Sequence, residues 1–150
     1  MEIKLSKSEK VVSSESVFRV LSEILRSEEE LDRDKEHLWA LGLSAQNHIK
    51  YIDLVHLGSI NQCTCCPMEI YRRGCIKGIA SLIVAHNHPS GDPKPSQEDK
   101  VVTLQLREAG KILKIKLLDH IIIGAESYFS FADEGLMNSK GGAITGFFSE

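Results

Sequence analysis

Residues His86 to Asp99 read HNHPSGDPKPSQED, and the rest of the chain is arranged around them. They follow an apolar run, Ile79 to Ala85 (IASLIVA), bounded by Gly78 and by the Pro/Gly-rich segment beyond. Such a run reads as a buried strand. His86 and His88 stand at its end, and strand residues two apart share a face, so both imidazoles can reach one point. Pro89, Pro93 and Pro95 fix φ and push His88, Asp92 and Lys94 out of the helical region, which stiffens the loop. Ser96 then stands where a helix N-cap belongs, with Asp99 three residues into the first turn. A side chain there leans back towards the helix N-terminus, where the loop arrives. Two imidazoles and a carboxylate thus converge, as a three-ligand site for Zn²⁺ requires, with a fourth position open for water.

Outward from this stretch, the pattern alternates between helical and strand periods. Upstream, Ser13 or Ser14 caps a helix whose apolar face is Val17, Val20, Leu21, Ile24 and Leu25. Ser27 to Lys35 is a charged connection. Glu36 to Leu43 and Tyr51 to Leu57 read as strands of a hairpin around Gln46-Asn47. Gly58 to Cys66 is a loop, and Pro67 suits the first turn of a helix to Lys77. Downstream, Ser96 to Leu113 is the longest helix, with Val101, Val102, Leu104, Leu106, Ala109 and Ile112 available for packing. Lys116 to Ile123 and Tyr128 to Phe131 are late strands, with a turn near Gly124. Residues 1–12 are polar and Lys-rich and read as a flexible tail. Residues 137–150, with Gly141-Gly142, read as a weakly ordered one. The layout is mixed α/β (α+β): one domain over residues 13–136, a central mixed sheet with helices packed on it.

The formal net charge is −3, which argues against strong nucleic-acid binding, carried as that is by Lys and Arg on phosphates. No apolar run approaches the ~20 residues of a membrane span, and MEIKLSKSEK has no signal-peptide core. A cytoplasmic protein with reduced thiols is expected.

His86-x-His88, seven residues, then Ser96-x-x-Asp99 resembles the metal motif of the JAMM (MPN-domain) metalloproteases. HNHPSGDPKPS and the later LLDHIIIG (Leu117 to Gly124) resemble the RadC branch of that superfamily. The resemblance covers Ser14 to Leu136. It implies an MPN fold, zinc on His86, His88 and Asp99, and hydrolysis of a peptide or isopeptide bond in a peptide or protein substrate. It also implies a glutamate at the start of a strand after the first helix. Glu36 holds that place, with Leu38 and Ala40 as same-face neighbours; Glu30 and Asp34 are rivals with no strand directly after them. The glutamate would act as the base, and Ser96 would stabilise an oxyanion besides capping its helix. Two other functions go with the resemblance: a RadC-type DNA-repair or recombination factor, and a non-catalytic MPN interaction module. RadC proteins carry an N-terminal helix-hairpin-helix-like region, for which this chain is too short at its N-terminus. The letters H-N-H also name a nuclease class, but its residues are scattered over a ββα-metal unit, whereas these are contiguous.

Cys63, Cys65, Cys66 and Cys75 lie close together, with C-x-x-C spacing from Cys63 to Cys66. A second C-x-x-C knuckle is missing, and Cys75 falls mid-helix where a buried thiol is common, so no Cys-bound metal is expected. Asp119-His120 opens an apolar strand, where a histidine is more often structural than a ligand. His37, His48 and His56 read as exposed or structural.

Overall fold

The alternating apolar pattern resolves into a sheet covered on both faces. The computed structural model describes residues 1–4, 9–59 and 65–137. Its strands are β1 (Glu2–Ile3), β2 (His37–Leu43), β3 (Ile49–Leu57), β4 (Ser81–Asn87), β5 (Lys116–Ile123) and β6 (Tyr128–Ser130). They form one sheet of order β1-β3-β2-β4-β5-β6, in which only β4 and β5 pair in parallel. Among the described residues the helices are α1 (Ser14–Ser27), α2 (Glu30–Arg33), α3 (Pro67–Lys77) and α4 (Gln97–Leu113). This is the mixed α+β, single-sheet architecture that the sequence pattern and the MPN resemblance imply.

Side-chain alternation assigns the helices to faces. Trp39, Leu41, Ile83, Ala85, Ile121 and Ile123 point to one side and bury Val17 and Leu21 of α1. Leu38, Ala40, Leu82, Val84 and Leu117 point to the other and meet Ile70 and Tyr71 of α3 and Val102 and Leu106 of α4. His86 is in phase with Leu82 and Val84, so it faces α4. A parallel pair needs a crossover, and α4 supplies it between β4 and β5.

Several expectations change. Glu2 and Ile3 are not a loose tail: they pair with Asp53 and Ile52 on the outer edge of β3. Lys10 bridges to His48, and the Val11 N–H donates to the Asn47 carbonyl. The open edge of β3 offers unpaired backbone groups that a short segment can satisfy, and two residues are too few to show a period. The charged connection contains the single turn of α2. Cys75 and Ile76 are exposed, because α3 buries Ile70, Tyr71 and Gly74 on its other side. Ile112 is also exposed, since it lies about 240° round α4 from Leu106. Residues 138–150, nearly all of the expected C-terminal tail, and Cys63 lie outside the described residues. No described helix is long and apolar enough to cross a membrane.

Candidate metal centre

The site forms where β4 ends and the chain leaves for α4. His86 is the penultimate residue of β4 and is 3% exposed. His88 lies one residue past the strand, but its N–H still donates to the Ile123 carbonyl at 2.9 Å, so the extended spacing continues. Gly91 turns the loop with φ 91°, a conformation that favours glycine. The Ala125 N–H donates to the Gly91 carbonyl, and Gly124 sits so close that an added Cβ would lie 2.5 Å from the same oxygen. The loop is thus clamped onto the β5–β6 turn.

Ser96 caps α4 reciprocally with Asp99. The Asp99 N–H donates to Ser96 Oγ at 3.1 Å, and the Ser96 N–H donates to Asp99 Oδ2 at 2.8 Å. This box fixes the Asp99 carboxylate facing back towards β4. His86 Nε2 then lies 3.1 Å from Asp99 Oδ1, His88 Nε2 3.2 Å from Asp99 Oδ2, and the two Nε2 atoms 3.1 Å apart. Among the described residues, these three form the one cluster of His, Cys, Asp or Glu able to hold a metal ion. The described cysteines, Cys65, Cys66 and Cys75, are not part of it; Cys65 is buried in the core behind.

The donor set fits zinc. Bonds of ~2.0–2.1 Å in tetrahedral geometry place ligand atoms about 3.3 Å apart, close to the three separations here. Two nitrogens and a carboxylate suit that borderline ion. Their convergence at such short range could hold a metal ion. Burial pushes the Asp99 carboxyl up, but His86 and His88, which donate to it through Nε2 when they are protonated, outweigh it and hold the group well below the usual carboxylate range. The hydrogen bond that its protonated form makes to Asp99 raises His88. His88 is the most open of the three, its side chain 20% exposed, so the cluster is reached from that side.

Glu36 directly precedes β2 and is half-buried. β2 pairs antiparallel with β4 as far as Leu38 opposite His86, and Glu36 and His88 each lie two residues beyond that last pair. Its charge is felt at His88. Glu30 lies in α2 and Asp34 at its end, both exposed and off the strand.

Three features were missed. Asn87, between the two histidines, is buried and clamps the chain on both sides of Glu36. Its Oδ1 accepts the His37 N–H at 2.5 Å, and its Nδ2 donates to the Lys35 carbonyl at 3.0 Å. His120 is structural, as expected, but its partner is His86: Nε2 lies 2.8 Å from His86 Nδ1. Thr103 stands behind it, Oγ1 2.6 Å from His120 Nδ1. The signal for Thr103 was its place four residues after Asp99, on the same helical face. Burial pushes His120 down to about 3, so it is neutral. His37 is buried, with Nε2 2.8 Å from Glu28 Oε2.

A cavity of about 10 Å³, lined in part by His86, Asp99, His120 and Cys65, adjoins the cluster and has room for about one water. A cavity of about 600 Å³ lies at the far end of α4 among Arg107, Lys111, Lys114 and Lys116, with no His, Cys, Asp or Glu among the described residues that line it.

A model of the RadC-like JAB domain family matches residues 11–136. A UPF0758 protein of Clostridium acetobutylicum is 43% identical over 130 residues, which cover 87% of this chain and 55% of that protein. A UPF0758 protein of Methanosarcina acetivorans is 40% identical over 128 residues, 85% of this chain and 54% of that one. One of Clostridium botulinum is 48% identical over 101 residues, 67% and 44% respectively. The chain thus spans about half the length of the curated relatives it matches.

Proposed function

The chain belongs to the RadC-like JAB domain family, and on that premise we propose that it is a zinc-dependent hydrolase of the JAMM type, acting on a peptide or isopeptide bond of a peptide or protein substrate. The observation that carries this reading is the convergence of His86 Nε2, His88 Nε2 and the Asp99 carboxylate within 3.1–3.2 Å.

Zinc held by His86, His88 and Asp99 would lower the pKa of water towards ~7 and polarise a carbonyl. Hydrolysis adds water across the C–N bond: hydroxyl to the carbonyl carbon, a proton to the leaving nitrogen. Glu36 takes the proton from water and delivers it to that nitrogen. It lies just ahead of β2, the strand paired with β4, and its charge acts on His88. Asn87 holds the main chain on both sides of Glu36, so the carboxylate starts from a fixed backbone. Ser96 Oγ accepts the Asp99 N–H, which leaves its own O–H available to donate to the developing oxyanion.

The test separates base from ligand. Glu36→Gln keeps the size of the side chain but cannot accept the proton. Profiling against a peptide library, with and without chelator, should show turnover about 10²–10⁴-fold lower in Glu36→Gln with zinc content unchanged. Asp99→Asn should lose zinc and turnover together. Full activity in Glu36→Gln, or zinc loss in it equal to that of Asp99→Asn, would remove Glu36 from the role of base. A wild-type chain that takes up no zinc would end the reading as a whole.

A further inference from the structure

We infer that Thr103 and His120 form a positioning relay that fixes the tautomer of His86, so that Nε2 is the nitrogen it presents to a metal. The inference rests on the reading of His86, His88 and Asp99 as the metal site.

The argument starts from an atom with a single role. The main-chain carbonyl of Asp99 can only accept, so the Thr103 hydroxyl, 2.7 Å away, donates its one proton there. Towards His120 the same oxygen must accept, so His120 Nδ1, 2.6 Å away, carries the hydrogen. His120 is 2% exposed, and its two ring nitrogens meet His86 Nδ1 and Thr103 Oγ1, with no carboxylate on the ring among the described residues, so it is a neutral imidazole with one N–H. Its Nε2 is then a bare lone pair, and His86 Nδ1, 2.8 Å away, must donate to it. A neutral His86 with its hydrogen on Nδ1 has its lone pair on Nε2, the atom 3.1 Å from both Asp99 Oδ1 and His88 Nε2.

His88 reaches the same tautomer by a shorter route, its Nδ1 donating to the Asp92 carbonyl at 2.9 Å. The opposite assignment for His86 fails at the far end. It would turn the Thr103 proton towards His120 and leave two oxygens 2.7 Å apart with no hydrogen between them. The relay is also closed. It begins at the Asp99 carbonyl and ends at the Asp99 carboxylate, both in the first turn of α4, so that turn sets one ligand directly and a second through three hydrogen bonds. His120 and Thr103 touch no reacting atom; they act through His86.

The test uses the full metal-free chain with ¹⁵N-labelled histidine, at about pH 8, above the ordinary imidazole pKa of ~6.5. Long-range ¹H–¹⁵N correlation should show His86 and His120 both protonated on Nδ1 and bare on Nε2. Thr103→Val keeps the shape but removes the hydroxyl. It should mix the His86 tautomers, leave His88 unchanged as a control for folding, and weaken zinc binding about 10–100-fold in chelator competition. Thr103→Ser should restore both. A wild-type His86 protonated on Nε2 would overturn the relay whatever any variant does. So would zinc affinity in Thr103→Val equal to wild type, or in Thr103→Ser as weak as in Thr103→Val. Wild-type chain with the expected tautomers but no zinc uptake would sink the metal-site reading and leave the relay standing.

Discussion

At the scale of single residues, buried polar side chains carry the specificity of this fold. Asn87 satisfies two main-chain groups at the entry to β2, one on each side of Glu36. Asn87→Ala takes this partner from the buried His37 N–H, at roughly 1–3 kcal/mol, while the Lys35 carbonyl keeps its 2.8 Å contact with His37 Nδ1. A fall of that order in urea-unfolding free energy is expected, together with reduced turnover and retained zinc. An unchanged midpoint would mean that the clamp holds nothing. Asp119 behaves differently. Its carboxylate accepts the main-chain N–H groups of His120 and Ala132 and the Ser130 hydroxyl, yet burial pushes it up to about 6 from 3.8. The folded chain therefore binds more protons than the unfolded chain between those values. The stability this group contributes is fully present below about 3.8 and is lost as pH rises through about 6. The shift corresponds to at most ~3 kcal/mol. Asp119→Asn cannot titrate, so the stability difference between it and wild type should change by up to that amount between pH 4 and pH 7. Parallel stability curves for the two proteins would show that Asp119 does not titrate in this range.

At the scale of elements, α4 does two jobs with one end. Its N-terminal turn is closed by the Ser96–Asp99 box, and the same Asp99 faces both histidines. Ser96→Ala removes the side-chain half of the box and should cost about 1 kcal/mol of stability. Zinc content should stay near wild type, because the Ser96 main-chain N–H still holds Asp99 Oδ2. Zinc loss measured in Ser96→Ala would show instead that the hydroxyl, and not the backbone, orients the carboxylate. The β5–β6 turn plays the matching part for the loop, since Gly124 and Ala125 press on Gly91 and leave it little room to move.

For the whole molecule, the sheet brings together residues far apart in sequence, and a metal would bind only that assembled state. Free zinc at 1,000 times its dissociation constant should stabilise the chain by about 4 kcal/mol over the chelated form. The gain should shrink as pH falls below ~6.5, because protons compete for the imidazoles. One zinc per chain is expected, absent in His88→Ala; equal melting temperatures with chelator and with zinc at neutral pH would refute this. Much of the arrangement was legible beforehand because it is local. The apolar run before His86, the prolines that stiffen the loop and the Ser96–Asp99 cap each act within a few residues, so spacing makes the convergence of His86, His88 and Asp99 and the mixed α+β layout legible, while the metal motif and the topology come from the resemblance. Glu36 was legible only through resemblance, since a carboxylate closing an acidic run has no local signal of its own. What tertiary structure alone decided lies across the sheet. The β2–β4 pairing brings the start of β2, next to Glu36, against the end of β4, Asn87 reaches back to Lys35 and His37, and the parallel pairing of β4 and β5 brings His120 against His86. Those contacts join residues that pair only when the chain is folded, and the hydrogen bonds they make depend on positions that no periodicity encodes.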